Sequence, residues 1–193
     1  GIPLSCAVNP ACGRERLYEL RPALKSKRVL VVGGGVAGME AARVAAIIGH
    51  KVTLYEKGKS LGGHLIEASV PDFKKDLERL TNWYKTQLKK LGVEVKLETE
   101  VTPELVERES PGELLIATGS NPIIPDIPGI ERPNVATGID LLLGKKEAGD
   151  SVVVAGGGLI GCETALWLAK QGKKVTIVEM LPEVMTAGLP VPQ

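Results

Sequence analysis

The sequence has little of what several large classes of protein require. It contains 3 cysteines among 193 residues, an odd and sparse set that argues against a disulfide framework and fits a reducing compartment. No apolar run approaches the ~20 residues that span a bilayer, and the first residues lack the basic-then-apolar pattern of a signal peptide. These absences predict a cytoplasmic protein with no membrane partner.

An excess of charge of one sign is also missing. The 24 lysines and arginines nearly cancel the 23 aspartates and glutamates, so no strong field would attract nucleic acid. We therefore expect small molecules as partners. The chain begins with Gly1 rather than Met and stops soon after a predicted strand, so we expect a fragment of a longer polypeptide.

Glycine, in contrast, is abundant, and much of it recurs in an internal duplication. Residues 28–56 and 151–179 align without a gap at an offset of 123, and 14 of the 29 paired positions are identical. Each copy has the pattern of a strand, a glycine turn, an alanine-rich helix and a second strand, with the second strands at 51–56 and 174–179. The apolar first strands, 28–32 and 151–155, are expected to be buried on both faces.

The first glycine turn has the pattern of a dinucleotide-binding fingerprint. Gly33, Gly35 and Gly38 stand between a predicted strand and a predicted helix, where the helix N-terminus can bind a pyrophosphate. Glu56, 18 residues beyond Gly38, can accept hydrogen bonds from ribose hydroxyls. The adjacent candidates for cofactor binding are Val36, Ala37 and Lys57. The alternative is a tight turn that binds no ligand.

The second copy repeats this fingerprint. It has Gly156, Gly158 and Gly161, with Glu179 again 18 residues after the last glycine. A carboxylate there would repel a 2′-phosphate, and no arginine follows it, so we predict NADH rather than NADPH. The residues at the predicted helix start, Leu159 and Ile160, are further candidates. The alternative is a degenerate duplicate that is kept for packing.

The segments between and before the copies have simpler patterns. A stripe of apolar residues at helical spacing predicts an amphipathic helix over 72–91, and short strands are expected at 93–97 and 113–117. Prolines between 121 and 133 indicate a crossover, which we place at 125–150 with a short helix near 139–143. Residues 1–26 show no period and are predicted to be a surface lead-in segment.

Two further patterns are weak individually, but their positions relative to the two fingerprints make them more specific. Gly62-Gly63 follows the ribose glutamate, and Ala117-Thr118-Gly119 ends a predicted strand. The sequence from about residue 27 to 182 resembles the flavoproteins with two dinucleotide-binding domains. This resemblance implies an α/β, Rossmann-like three-layer FAD/NAD(P)-binding fold with two βαβ units. Residues 27–124 would bind FAD, and 151–193 would be an incomplete NAD-binding domain in which the second unit is truncated.

The lead-in segment narrows the resemblance. The segment Ser5-Cys6-Ala-Val-Asn-Pro10 is similar to the stretch that joins barrel and nucleotide domains in NADH:flavin oxidoreductases of the 2,4-dienoyl-CoA reductase, 2-enoate reductase and trimethylamine dehydrogenase type. That family implies an upstream FMN barrel in the same polypeptide and a 4Fe-4S cluster, with Cys6 as the last of its four ligands. No cysteine lies between Cys12 and Cys162, so the redox-active pair of a disulfide reductase is absent.

The implied function of the full-length protein is electron transfer from NADH through FAD and the cluster to FMN, which reduces an enoate or enoyl-CoA double bond. No side chain is predicted to act as acid, base or nucleophile, and the fragment alone is expected to be inactive. Two rivals remain open. One is an ADP-binding structural module, as in trimethylamine dehydrogenase, and the other is an electron-transfer small subunit of the glutamate-synthase type.

Overall fold

The computed structural model describes residues 4–6 and 8–186. The described chain forms β1 (Arg28–Val32), α1 (Val36–Ile47), β2 (Lys51–Tyr55), α2 (Leu65–Ala68), α3 (Asp76–Lys90), β3 (Glu94–Lys96), α4 (Pro103–Glu109), β4 (Glu113–Ile116), α5 (Gly138–Leu142), β5 (Ser151–Ala155), α6 (Leu159–Lys170) and β6 (Lys174–Val178). A 3-10 turn covers Asp72–Lys74. Over these described ranges, no helix has the length and apolar character needed to cross a membrane.

The chain divides into two compact units that exchange a segment. The first unit comprises Gly1–Ile66 and Asp76–Pro122, and the second comprises Glu67–Lys75 and Ile123–Gln193. A nine-residue stretch from the first half of the sequence therefore belongs to the second unit. Nothing in the sequence pattern predicted this exchange.

The first unit is built on a four-stranded parallel sheet with the order β3-β2-β1-β4. Val29 of β1 is paired with Val52 of β2 on one side and with Glu113 of β4 on the other. Because all four strands are parallel, their carboxyl ends share one edge of the sheet. The residues that follow β1, β2 and β4 therefore meet at that edge, which is where ligands bind in open α/β sheets.

Helices α1 and α3 complete the core of this unit. Val31 of β1, Leu54 of β2, Met39 and Ala42 of α1 and Leu88 of α3 are almost completely buried in one cluster. The small alanines of α1 allow the helix to lie close to the sheet, which explains why this helix is alanine-rich. The predicted α/β fold with parallel sheets and a Rossmann-like βαβ unit is confirmed.

The single helix that we predicted over 72–91 is wrong at its beginning. Residues Asp72–Lys74 form a 3-10 turn and α3 begins only at Asp76, so Phe73 remains 41% exposed instead of joining the apolar stripe. The carboxylate of Asp72 accepts a hydrogen bond from the N–H of Phe73 at 3.0 Å, a local bond that competes with a helical start. This turn is also recruited by the second unit, where Asp72 pairs with Lys170 and Lys74 pairs with Glu163, both at 2.6 Å.

The second unit contains the parallel pair β5-β6 with α5 and α6. Ala165 and Leu168 of α6 are buried, but Val153 of β5 is 67% exposed and Val178 of β6 is 55% exposed. The prediction that 151–155 is buried on both faces is therefore wrong. In the first sheet β4 covers one edge of β1, whereas among the described residues β5 pairs with β6 alone.

The structure also contains two helices that we did not predict, α2 and α4. The start of α4 does carry a sequence signal, because Pro103 is its first residue and the Thr102 hydroxyl accepts a hydrogen bond from the N–H of Leu105 at 3.3 Å. In the described part of the lead-in segment, the side chains of Leu4, Leu17 and Leu24 are exposed.

We predict that the two sheets differ in local stability. Amide hydrogen exchange should be faster in β5 and β6 than in β1 and β2, because strand amides that lie under exposed side chains open with less loss of buried area. The measurement is exchange mass spectrometry on the chain, comparing residues 151–178 with residues 28–55. Equal or slower exchange in the second pair of strands would contradict this expectation.

Candidate functional site

The first glycine turn passes directly beneath the end of β4. Gly33 has a φ of 104°, and its N–H donates to the carbonyl of Tyr55 at 2.8 Å. A Cβ atom at Gly33 would lie 2.3 Å from the carbonyl oxygen of Ala117, so no side chain fits there. The structure therefore brings the predicted Ala117 onto the fingerprint turn, with Thr118 and Gly119 immediately after it.

Helix α1 begins against this turn with its N-terminus open. A Cβ atom at Gly38 would lie 1.8 Å from the carbonyl oxygen of Gly33, so helix and turn are in backbone contact. The N-cap residue, Gly35, supplies no side-chain cap, and the N–H groups of Val36 and Ala37 have no acceptor within the described residues. Free N–H groups and the positive end of a 12-residue helix favour a bound anion.

Glu56 lies at the carboxyl end of β2 and faces the same turn. Its Oε2 accepts a hydrogen bond from the N–H of Gly34 and its Oε1 accepts one from the N–H of Gly58, both at 2.6 Å. Since a carboxylate has about four acceptor positions, free lone pairs remain for ribose hydroxyls. The adjacent Lys57 is exposed.

The Gly62–Gly63 pair packs against the turn from the other side. The N–H of Gly62 donates to the carbonyl of Gly34 at 2.9 Å, and Gly62 forms a parallel bridge with Gly35. A Cβ atom at Gly63 would lie 2.8 Å from the Cα atom of Gly35. The structure thus gathers the fingerprint glycines, Glu56, the Gly62–Gly63 pair and Ala117 around one helix N-terminus.

The second unit repeats this geometry. Gly156 has a φ of 105°, and a Cβ atom at Gly161 would lie 1.9 Å from its carbonyl oxygen. Helix α6 begins after Gly158 without a side-chain cap, and Leu159 and Ile160 are exposed at its start. The predicted residues of the second turn therefore also surround a helix N-terminus.

Glu179 is held as Glu56 is. Its Oε2 accepts a hydrogen bond from the N–H of Gly157 at 2.6 Å, and its Oε1 accepts bonds from the N–H groups of Met180 and Leu181 at 2.7 and 2.9 Å. The N–H groups of Leu181 and Gly157, in that order of effect, hold the pKa of the Glu179 carboxyl below its usual range. The group therefore carries its negative charge at neutral pH.

The duplication extends further in space than in sequence. Leu61 contacts the position of a Cβ atom at Gly34, and Val184, 123 residues later, contacts the same position at Gly157. The N–H of Met185 donates to the carbonyl of Gly157 at 2.7 Å, as Gly62 does to Gly34. Sequence reasoning missed these pairs because the residues differ, although their offset of 123 is the one that the glycines share.

The two turns differ in what lies above them. A Cβ atom at Gly33 would collide with Ala117, whereas one at Gly156 would meet no atom within 4 Å. At the position of Gly62 the second unit has Met185, whose φ of 59° is left-handed. Among the described residues, the second turn is therefore more open above its glycines and more strained beside them.

The cysteines form no cluster in this structure. Cys6, Cys12 and Cys162 are all free, and Cys6 is exposed. The thiol of Cys162 donates to the carbonyl of Gly157 at 3.2 Å, which makes it part of the second turn. Within the part of the chain that the structure describes, no three His, Cys, Asp or Glu side chains are grouped to hold a metal.

Comparison with known proteins decides the family. The family model described as pyridine nucleotide-disulphide oxidoreductase matches residues 14–112 and again residues 107–191. The chain belongs to this family. The two matches correspond to the two copies of the fingerprint, and membership in the pyridine nucleotide-disulphide oxidoreductases supports FAD and NAD(P) as the cofactors.

Individual relatives are oxidoreductases that are longer than this chain. The chain is 54% identical to cinnamate reductase of Clostridium sporogenes over 97% of its own length and 46% identical to an NADH oxidase of Thermoanaerobacter brockii over 95%. A solved 2-naphthoyl-CoA reductase complex matches 94% of the chain with a TM-score of 0.89 and 42% identity. The chain spans 28% or 29% of the length of these three proteins.

We predict opposite results for alanine at two glycines of the first turn. Gly38→Ala should unfold the first unit or severely destabilise it, because the new Cβ atom would overlap the carbonyl oxygen of Gly33. Gly35→Ala should retain the fold, since its Cβ atom would have only Gly63 within 4 Å, at 3.9 Å. Thermal unfolding followed by circular dichroism measures both variants. A Gly38→Ala variant as stable as the Gly35→Ala variant would refute the described turn.

We also predict a titration in the second turn. Because the pKa of Glu179 is lowered in the folded chain, its carboxylate stabilises the turn above the ordinary glutamate pKa of about 4.3. This contribution should be lost as the pH falls through the lower, folded-state value. The amide resonances of Gly157 and Leu181 should therefore shift with a midpoint below that ordinary pKa. Glu179→Gln should abolish the shift, and a midpoint above about 4.3 would contradict the hydrogen-bond geometry.

Proposed function

We propose that this chain is the FAD- and NADH-binding module of a flavin oxidoreductase, in which reducing equivalents pass from NADH to FAD. One observation carries the proposal: each unit holds a carboxylate against a glycine turn beside an uncapped helix N-terminus. A pyrophosphate and a ribose diol match this pair of features, because one needs N–H donors and the other needs an acceptor.

The first site is assigned to FAD. The open helix start at Gly35, Val36 and Ala37 would bind the pyrophosphate, and Glu56 would bind the adenosine ribose. The remaining residues of this proposed site are Gly33, Gly38, Lys57, Gly62, Gly63, Ala117, Thr118 and Gly119. The absence of side chains at the clustered glycines supports the fit, since their Cβ positions are filled by neighbouring backbone or side chains or border open space. Residues 27–124 form the FAD-binding part in this proposal.

The second site is assigned to NADH. Gly156, Gly158 and Gly161, with Leu159 and Ile160 at the helix start, would bind its pyrophosphate, and Glu179 would bind its ribose. A charged Glu179 would repel the 2′-phosphate of NADPH. Residues 151–193 form the NAD-binding part, and 125–150 is the crossover. Residues 187–193 lie outside the described part of the chain.

The chemistry that this module needs comes from its cofactors. When bound, a flavin accepts a hydride from a reduced nicotinamide. The residues of the chain bind and orient the two nucleotides, and the proposal assigns no side chain as acid, base or nucleophile.

The larger protein is proposed to be an enoate or enoyl-CoA type reductase. The names of the similar proteins, cinnamate reductase and 2-naphthoyl-CoA reductase, support this substrate class. In this proposal an FMN barrel lies in the same polypeptide, and Cys6 is one of the four ligands of a 4Fe-4S cluster, whose ligands are commonly Cys thiolates. The exposed position of Cys6 leaves its thiol accessible to such a cluster.

The test is made on the natural full-length protein. Acid extraction should release FAD, and rapid mixing with NADH should bleach the flavin absorbance faster than mixing with NADPH does. Glu179→Gln should lower the preference for NADH over NADPH at least about tenfold, because the repulsive carboxylate is gone. Glu183→Gln, an exposed glutamate near the same turn, is the matched control and should leave the preference unchanged.

Three results would contradict the proposal. Extraction of ADP in place of FAD would favour the structural nucleotide module. Flavin that NADH does not reduce would remove the proposed electron entry. An unchanged cofactor preference in the Glu179→Gln variant would refute the assignment of the second turn.

A further inference from the structure

A groove on the first unit lies beside the edge strand β3 and extends to the loop that follows β2. Its volume is about 580 Å³. Its floor is aliphatic, formed by Leu88 of α3 with Val93 and Val95 at the edge strand, and its rim carries Lys59, Lys85 and Lys89. We call this surface the lysine groove. It lies within a size range that is common for ligand sites.

The charged side chains that line the lysine groove are all lysines. Within the described residues, no acidic side chain lies within ion-pair distance of Lys59, Lys85 or Lys89. Elsewhere in the chain lysines do find partners, as in the pairs Lys74–Glu163 and Lys170–Asp72. The lysine groove therefore combines an apolar floor with three free cations.

Helix electrostatics alone does not explain this arrangement. Lys89 and its neighbour Lys90 lie in the last turn of α3, where a positive charge is favoured by the helix dipole. Lys59, however, comes from the loop after β2, and Lys85 lies one turn earlier on the helix. Cations from two separate segments thus converge on one apolar surface.

In the part of the chain that the structure describes, one backbone edge of the strand beside the lysine groove is unpaired. Within residues 4–6 and 8–186, β3 pairs with β2 alone, and the carbonyl of Lys96 accepts a hydrogen bond from the N–H of Glu56 at 2.9 Å. Alternate residues of a parallel strand turn both backbone groups toward the same neighbour. Because the backbone groups of Lys96 point toward β2, the backbone N–H and carbonyl of Val95 point away from β2. They are available to pair with another strand.

We propose that the lysine groove binds an extended acidic peptide segment, which adds as a strand to the free edge of β3. Its backbone would pair with Val95, its apolar side chains would cover the floor, and its carboxylates would pair with the three lysines. This inference goes beyond the proposed redox function and is independent of it.

An extended peptide fits these features better than a small amphiphilic anion. The lining residues from Gly92 to Leu97 extend for roughly 17 Å at about 3.3 Å per residue, which matches a short strand. Val95 of β3 and the residues that flank this strand, Val93 and Leu97, alternate in sequence and all line the lysine groove. A small anion would use one lysine and part of the floor, and it would leave the outward backbone groups of Val95 unused.

The probe is a blocked seven-residue peptide that alternates glutamate with valine, titrated into the full chain and followed by NMR. It should shift the Val95 and Leu97 amide resonances and slow hydrogen exchange at Val95. The triple variant Lys59→Glu, Lys85→Glu, Lys89→Glu should bind the peptide at least about tenfold more weakly, because three favourable pairs become repulsive. All three side chains are exposed, so their replacement leaves the core intact.

Matched controls separate the lysine groove from general charge. Lys89→Glu should weaken binding, whereas Lys90→Glu, one residue away in the same helical turn but outside the groove, should change it less than about twofold. A peptide that alternates lysine with valine should not bind. Binding that survives the triple variant, or that leaves the Val95 amide unaffected, would overturn the proposal. It would also be overturned if decanoate shifted these resonances and the acidic peptide did not.

Discussion

Each half of this chain depends on one contact between two backbones, the approach of a helix to the turn that precedes it. At Gly38 and Gly161 the space for a Cβ atom is taken by the carbonyl oxygen of the first glycine of the turn, at 1.8 and 1.9 Å. This contact places the helix N-terminus over the end of the first strand. The free N–H groups of the first helical turn therefore lie at the edge of the sheet where the carboxyl ends of the parallel strands meet. The orientation of the whole candidate site follows from this packing.

The two glutamates stabilise the fold through hydrogen bonds that form without any ligand. Glu56 and Glu179 each accept N–H groups from the turn and from the residues that follow their own strand. The carboxylate thus joins the second strand to the first turn and is fixed in place for a ribose. A preorganised acceptor loses little conformational freedom when a ligand binds. This dual use explains why turn and carboxylate occur together in both halves of the chain.

Much of the site could be predicted because its determinants are local. A glycine at a position with no room for a Cβ atom and a carboxylate at a strand end can both be recognised in the sequence. The internal duplication contains both features in each copy. The partial exposure of β5 and the recruitment of Asp72 and Lys74 by α6 depend instead on which segments meet in space. The pair Leu61 and Val184 was missed for a related reason: a contact through methyl groups tolerates many residues.

The exchange of residues 67–75 between the two units has a consequence for how such a protein can be inherited. The chain passes from one unit to the other three times, and the excursion carries the partners of Glu163 and Lys170. A gene segment encoding residues 123–193 alone would produce helix α6 without these ion pairs. Recombination that transfers residues 67–193 together with the first unit is therefore expected to preserve the stability of both units. Recombination that separates residues 123–193 from the rest is expected to destabilise the second unit.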